Sequence, residues 1–255
     1  MSKKTDEHKK AQATFFVIIG LVIVVAVFLI GYYYTQTSTE FGVELTKETD
    51  LPFELAGLRT NVQSCVEDVF TDGMFLVGLQ GGFIVNGEVI LETEEGDIAY
   101  GYSNGENTLS KADQIEKELS DYVSVLLPSC SNLEEFNDFE LEFRDPISKV
   151  DILGEDVNIR VSHRIIAKAG ESSYTLDEPY TFSLPIRFSN IYTLAQGVIA
   201  RTANDPETID ISYLLDSEMD VDVFTLDDGN VVYSITDEES KVDDVAYTFV
   251  FATKV

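Results

Sequence analysis

The sequence predicts an α+β fold, in which one N-terminal transmembrane helix precedes an exterior domain of antiparallel strands and about three amphipathic helices. Three observations predict it. Residues 13–34 form a continuous apolar run without a charged side chain. Further along, some segments repeat apolar residues every three or four positions, which is typical of a helix face. Others alternate apolar and polar residues, which is typical of a strand.

The apolar run 13–34 predicts a membrane span, because a helix needs about 20 residues to cross the hydrocarbon core of a bilayer. Four lysines precede the run: Lys3, Lys4, Lys9 and Lys10. Since positive charge beside a span stays in the cytoplasm, residues 1–12 are expected to form a cytoplasmic basic tip. Residues 35–52 then form a spacer, and residues 53–255 form an extracytoplasmic domain of a single-pass cell-membrane protein. A division of that domain into two subdomains near residues 131–150 stays open.

The junction formed by Lys9, Lys10, Ala11 and Gln12 allows a second interpretation of the same helix. It resembles the type III signal peptide of archaeal type IV pilins, in which a prepilin peptidase cuts after the small residue. The resemblance implies cleavage between Ala11 and Gln12 and packing of the helix against copies of itself in a filament. Phe16 departs from the pattern, because many pilins carry Glu at that position.

The chain is strongly acidic: 46 Asp and Glu residues against 17 Lys and Arg residues give a net charge of −29. Nucleic acid and anionic lipid headgroups both need positive charge at the contact, so a nucleic-acid partner is excluded. An exterior of high ionic strength tolerates such a surface by screening it. Because 44% of the residues are hydrophobic, the composition indicates a folded domain and not a disordered stalk.

Cys65 and Cys130 are the only cysteines of the chain. Outside the cytoplasm this pair predicts a disulfide, which restricts the unfolded chain by about 4 kcal/mol on the entropy account. The only histidines are His8 and His163. A four-ligand zinc site is not expected, because His8 is predicted to lie on the other side of the membrane.

Three amphipathic helices are expected in the exterior domain. The first begins near Ala56 and ends at Gly81, the second follows Ser110 and ends at Pro128, and the third is carried by residues 191–199. The proposed disulfide would tie the first helix to the second.

Strands are expected between and after these helices. Asn86 and Gly87 predict a two-residue hairpin turn. Apolar residues alternate over residues 157–165 and, after a turn near Gly170, over residues 180–186, which predicts a long antiparallel hairpin. Further strands are expected at residues 98–102, 221–226, 231–235 and 247–252.

No motif specifies a reaction or a ligand. His163 shares the apolar phase of its strand, so a core histidine is favoured over a catalytic base, and no Gly-x-Ser-x-Gly elbow accompanies it. The acids Asp216, Glu218, Asp220 and Asp222 alternate like one face of a strand, but the glycine and glutamate of an EF-hand are missing from the corresponding positions. No catalytic, cofactor-binding or metal-binding residue is therefore assigned.

Three segments carry a resemblance over most of the chain: VQSCVEDVFTDGMFLVGLQGGF, the helix ending in LLPSC, and the tail from DVDVFTL to YTFVFATKV. They resemble uncharacterised single-pass membrane proteins of small-genomed archaea. The resemblance implies an archaeal exterior, which agrees with the acidic surface and the disulfide, but the group has no known activity to transfer.

The leading hypothesis is a membrane-anchored cell-surface protein with a non-catalytic structural or interaction role. Its partners are the bilayer, through residues 13–34, and an unidentified protein or surface. Two alternatives stay open. One is a pilin-like subunit that is processed after Ala11 and forms a homo-oligomer, and the other is a membrane-anchored hydrolase.

Overall fold

A computed structural model describes residues 53–85, 89–93, 96–130 and 136–254. These residues belong to one compact unit, Leu51–Val255. In the described residues there are four helices: α1 (Phe53–Leu79), α2 (Ala112–Cys130), α3 (Phe188–Asn204) and α4 (Ile211–Leu215). The same residues contain twelve strands: β1 (Ile90–Thr93), β2 (Gly96–Ser103), β3 (Glu106–Asn107), β4 (Glu140–Phe143), β5 (Ile147–Asp151), β6 (Val157–Ser162), β7 (Ile165–Ala169), β8 (Ser172–Leu176), β9 (Tyr180–Leu184), β10 (Asp220–Thr225), β11 (Val231–Val242) and β12 (Val245–Thr253).

The predicted fold class needs correction. No helix of the described residues combines the length and the apolar character that crossing a membrane requires. The predicted span at residues 13–34, the basic tip at 1–12 with its junction residues and the spacer at 35–52 all lie outside the described residues. The strands are not all antiparallel, because β2 and β12 pair in parallel. A fourth helix, the short α4, was not predicted.

Helix α1 forms because its apolar residues return every three or four positions and cover one face. The buried residues of that face are Leu55, Leu58, Val62, Cys65, Val66, Val69, Phe70, Met74 and Val77. The helix ends where predicted, since Gly81 and Gly82 adopt φ angles of 73° and 94°. The N–H of Gly82 donates to the carbonyl of Val77 at 2.8 Å, which closes the last turn.

Helix α2 buries a matching stripe formed by Ile115, Leu119, Val123 and Leu127. The prediction that Pro128 ends this helix is wrong, because the helix continues through Cys130. The fixed φ of proline is compatible with a helix, and so close to the C-terminus the loss is one backbone hydrogen bond. The disulfide at Cys130 holds the last turn in place.

The largest sheet has six strands in the order β1-β2-β12-β11-β10, with β3 paired to β2. Its inner face packs against α1 and α3. The hydroxyl of Tyr247 on β12 donates to the carbonyl of Met74 in α1 at 3.0 Å, and the ring of Phe188 at the start of α3 contacts the rings of Tyr247 and Phe249. Both helices therefore cover the same side of the sheet.

The remaining strands form a bent meander between residues 140 and 184. Strands β4, β7 and β8 form one three-stranded sheet, and β5, β6 and β9 form another. The meander consists of three chain segments, residues 140–151, 157–169 and 172–184. Each segment is interrupted between its two strands, and the interruptions, at residues 144–146, 163–164 and 177–179, lie side by side. Pro146 and Pro179 lie at the outer breaks, where a residue without an N–H interrupts the ladder. The predicted long hairpin is thus confirmed in its alternation and its turn at Gly170, but the bend divides it.

The prediction of a hairpin around Asn86 and Gly87 is wrong for the strand expected before the turn. Residues 83–85 are not a strand, and β1 pairs instead with β2. The N–H of Ile84 donates to a carboxylate oxygen of Glu118 at 3.0 Å, so this segment is held against α2 and not in a ladder. Asn86 and Gly87 themselves lie outside the described residues.

Candidate functional site

Cys65 and Cys130 are joined by a disulfide, as the sequence predicted. Cys65 lies on the buried stripe of α1 and Cys130 is the last residue of α2, with Cα atoms 5.8 Å apart. A thiolate is the reactive form of cysteine, and a bonded pair has none to offer a substrate. The pair therefore ties the two helices together and supplies no nucleophile.

An ionic cluster formed by the partly exposed Arg187 and the buried Asp237 and Ser240 anchors the start of α3 to β11. The side chain of Asp237 is 1% exposed. Its carboxylate accepts from Arg187 Nε at 3.0 Å, from Arg187 Nη2 at 2.6 Å and from the Ser240 hydroxyl at 2.5 Å. The Arg187 guanidinium also pairs with the exposed carboxylate of Glu239.

The ionic cluster depends on an irregularity in β11. The pairing register with β12 shifts between Asp237 and Lys241, so the chain can curl and bring the Glu239 N–H and the Ser240 hydroxyl back to Asp237. Burial opposes the ionisation of Asp237, but the hydrogen bonds from Arg187, Ser240 and Glu239 outweigh it and hold its pKa below the ordinary value. The sequence patterns did not predict this cluster. The signal was an acid in the same strand phase as the buried residues Tyr233 and Ile235.

His163 lies in the central break of the meander and is buried, with 4% of its surface exposed. Its ring stacks on Phe143, with centroids 5.9 Å apart. Burial lowers the pKa of its imidazole, although a hydrogen bond with the Arg144 backbone and the charge of Asp145 act in the opposite direction. Its Nδ1 has no hydrogen-bond partner among the described residues. The structure therefore places the His163 side chain in the core, on the same face as the buried apolar residues Val161 and Ile165.

The four alternating acids of residues 216–222 do not form one face of a single strand. Asp220 and Asp222 are exposed on β10, whereas Asp216 and Glu218 precede the strand. Across the described ranges, no three Asp, Glu, His or Cys side chains come together in a way that could hold a metal ion.

A groove of about 390 Å³ lies beside the start of α2, between Phe83, Val89 and the connection from β3. Two of its polar side chains, Asn107 and Thr108, bond to the backbone, whereas the buried Ser110 hydroxyl has no hydrogen-bond partner among the described residues. The Asn107 amide oxygen accepts from the Leu109 N–H at 3.0 Å, and the Thr108 hydroxyl donates to the Tyr100 carbonyl. These contacts fix the connection between β3 and α2.

The outer face of the six-stranded sheet carries a second apolar cluster, separate from the main core. We call it the outer cluster, and it consists of Leu91, Tyr100, Val232 and Ala252, which are buried with at most 8% of their surface exposed, and of Ile98 and Val250 packed against them. No apolar side chain of a described helix joins it. Cross-strand register continues the row from Tyr100 through Ala252 and Val232 to Phe224 on β10. Phe224 is 55% exposed, so the row emerges into solvent at the edge of the sheet.

Comparison of the chain with models of protein families, with curated proteins and with solved structures found no match to any of them.

Proposed function

We propose that the chain is an exported, non-catalytic protein of the cell surface, and that its folded domain binds a protein partner through strand β10 and the exposed ring of Phe224. The observation that carries the proposal is the outer face of the six-stranded sheet. Helices pack on its inner face, and the apolar row on its outer face ends in the exposed Phe224. An apolar side chain presented beside a polar rim is the usual composition of a protein interface.

The exterior location is supported by the disulfide and by the charge. Disulfides persist in oxidising compartments and are rare where glutathione keeps thiols reduced. The net charge of −29 suits a surface in contact with a medium rich in salt. The resemblance to uncharacterised single-pass membrane proteins of small-genomed archaea, and the pilin-like processing after Ala11, stay predictions from the sequence.

The non-catalytic role is supported by the hydrogen bonds of two buried polar groups, Asp237 and Tyr247. Asp237 is saturated by Arg187, Ser240 and the backbone, and the Tyr247 hydroxyl is used by Met74. A general acid or base has to reach a substrate within hydrogen-bond distance. Groups that hold one element to another in this way serve the fold.

The export half of the proposal is tested by the thiol state of the full chain in intact cells. We expect a maleimide reagent coupled to polyethylene glycol to leave Cys65 and Cys130 unmodified in acid-quenched cells, and to add two labels after reduction. We also expect protease added outside intact cells to digest the chain. Two labels before reduction, or full protection from the protease, would contradict an exterior location.

The interaction half is tested by crosslinking intact cells that express Phe224→Lys. We expect this change to abolish the crosslinked species of the wild-type chain, because it places a charge in the row at the edge of the sheet. Val245→Lys is the matched control, since Val245 is 58% exposed but lies at the turn between β11 and β12. Equal loss in both variants, or loss in neither, would contradict a role for the outer face.

A further inference from the structure

Strand β10 is an open edge of the six-stranded sheet. It pairs with β11 on one side, over the register from Asp220 with Thr236 to Thr225 with Val231. No other strand of the described residues pairs with it. Apart from that ladder, residues 220–225 make no backbone hydrogen bond within the described ranges. Half of the backbone groups of an edge strand point away from its neighbour, and they form a template for one further strand.

The side chains of β10 differ between its two faces. Val221 and Val223 are half-buried and pack against the main core. Asp220, Asp222 and Phe224 are exposed on the outer face. A strand added at this edge would find two carboxylates and one aromatic ring in a row on one face, with directly opposed side chains about 5 Å apart.

Charge decides which occupant fits this edge. A second copy of the chain would bring Asp220 and Asp222 beside the same carboxylates of its neighbour, and like charges on paired strands destabilise the pairing. Both molecules would also carry a net charge of −29. Charged residues on an edge strand are a known protection against self-association. A basic strand would be attracted to this edge, because Lys or Arg at alternate positions would face both carboxylates.

We propose that β10 binds an extended, basic segment of another protein as an added strand of the sheet. The segment carries Lys or Arg at the two alternate positions that face Asp220 and Asp222, and an apolar residue that covers Phe224. Main-chain hydrogen bonds supply the affinity and the alternate side chains supply the specificity, as in other cases of strand addition. This inference rests on the proposed interaction role and names the chemistry of the partner.

The test uses the full-length chain and a synthetic peptide that carries lysine, lysine and leucine at three successive alternate positions, with threonine at the positions between them. We expect titration calorimetry to show saturable binding, and the amides of Val221 and Val223 to exchange more slowly with deuterium when the peptide is bound. A peptide of the same sequence with N-methyl groups on alternate backbone nitrogens keeps the charge but cannot form the ladder. We expect it to bind at least about 10-fold more weakly, as the loss of several backbone hydrogen bonds requires.

The charge pattern is tested by the double variant Asp220→Asn with Asp222→Asn, for which we expect binding at least about 3-fold weaker. Its matched control is Asp243→Asn with Asp244→Asn, which removes the same charge from the exposed turn between β11 and β12. Those two residues have φ angles of 51° and 65°, which asparagine tolerates. We expect the control to bind as the wild type does.

Three results would overturn the inference: no binding of the unmodified peptide, equal binding of the N-methylated peptide, or equal weakening by the two double variants. Formation of a dimer through β10, seen by sedimentation and lost in Phe224→Lys, would also overturn it by assigning the edge to a second copy. None of these results affects the outcome of the thiol labelling and protease tests. A failure of the strand-addition proposal is therefore distinguishable from a failure of the exterior location.

Discussion

Single polar residues in the core decide how this domain responds to acid. Asp237 and His163 are both buried, but their environments favour opposite charge states. Asp237 is held ionised by the guanidinium and hydroxyl that contact it, whereas the His163 ring is stacked on Phe143 and its pKa is lowered chiefly by burial. Each residue therefore stabilises the fold in the upper part of the pH range.

The substitution Asp237→Asn is expected to lower the free energy of unfolding by about 3 kcal/mol at pH 7, because it leaves Arg187 without its buried partner. The pKa of Asp237 is lower in the folded state than in the unfolded state. Its stabilising contribution is therefore complete above the unfolded value of about 3.9, and it is lost as pH falls through the folded pKa. Urea unfolding across the acid range measures both effects.

Asp243→Asn is the control for this prediction, since the side chain is exposed in a turn. We expect it to change the unfolding free energy by less than about 0.5 kcal/mol. If Asp237→Asn and the wild type lose stability in parallel below pH 4, the ionised state of Asp237 does not contribute to the fold.

His163→Gln is expected to weaken the dependence of stability on pH below about pH 6.5. The lowered pKa of His163 means that the unfolded state takes up a proton below about pH 6.5, while the folded state resists it. Wild-type stability then falls toward acid pH by up to about 1.4 kcal/mol per pH unit. Glutamine does not titrate, so this slope is absent from the variant.

The measurement is the difference in unfolding free energy between wild type and His163→Gln at several pH values. His8 and the carboxylates are present in both proteins, so their titrations cancel in this difference. A difference that stays constant from pH 7.5 to pH 5 would mean that the imidazole is charged as easily in the core as in water.

At the scale of elements, the periodicity of apolar residues predicted α1, α2 and α3 and the alternation over residues 157–165, because burial of one face is a local property of sequence. It did not predict the bend of the meander, which arises where Pro146 and Pro179 on the outer segments align with His163 on the central one. That alignment depends on register between segments distant in the chain. The parallel pairing of β2 with β12 has the same origin.

The ionic cluster could not be predicted for the same reason, because it joins segments that are distant in the chain. Asp237 is visible in the sequence as an acid in a buried phase, but Arg187 lies 50 residues before it. The bulge that brings Ser240 to the carboxylate is a feature of paired strands and not of a local pattern. By contrast, the disulfide could be predicted, because a chain with only two cysteines allows one pairing.

The contact between α1 and β12 is expected to be sensitive to added volume at Gly78. A Cβ atom at Gly78 would collide with the carbonyl oxygen of Thr248 and crowd the Tyr247 ring at 3.1 Å. Backbone cannot move aside as a flexible side chain can, so we expect Gly78→Ala to destabilise the domain by about 3 kcal/mol. Thermal or urea unfolding of the full chain measures the loss.

Gly57→Ala provides the control in the same helix. The nearest atom to a Cβ atom at Gly57 is Phe136 Cε1 at 3.6 Å, which is ordinary contact. Alanine is the better helix former, so we expect this variant to be more stable by about 0.5 to 1 kcal/mol. Equal effects of the two substitutions would mean that helix propensity, and not the approach of α1 to β12, determines the result.

At the scale of the whole molecule, charge is the dominant feature, because 46 acidic residues far exceed the 17 basic ones. The described ion pairs outside the ionic cluster involve partly or well exposed side chains, such as Lys117 with Asp121 and Arg201 with Asp210. Exposed pairs contribute about 0 to 1 kcal/mol each and are weakened by salt. Because acidic residues outnumber basic ones by 46 to 17, screening is expected to remove more repulsion than attraction.

Sodium chloride is therefore expected to stabilise the protein. The thermal midpoint should rise as the salt concentration increases from about 0.01 M to 0.3 M, where the screening length falls from about 30 Å to below 8 Å. The rise should level off at higher salt, because screening is then nearly complete. This plateau distinguishes screening from an effect of salt on apolar hydration, which keeps growing into the molar range.

Sucrose at equal osmolality is the control, since it screens nothing. A midpoint that falls with salt would mean that the exposed ion pairs outweigh the repulsion among the acids, and a midpoint that rises equally with sucrose would exclude charge as the cause.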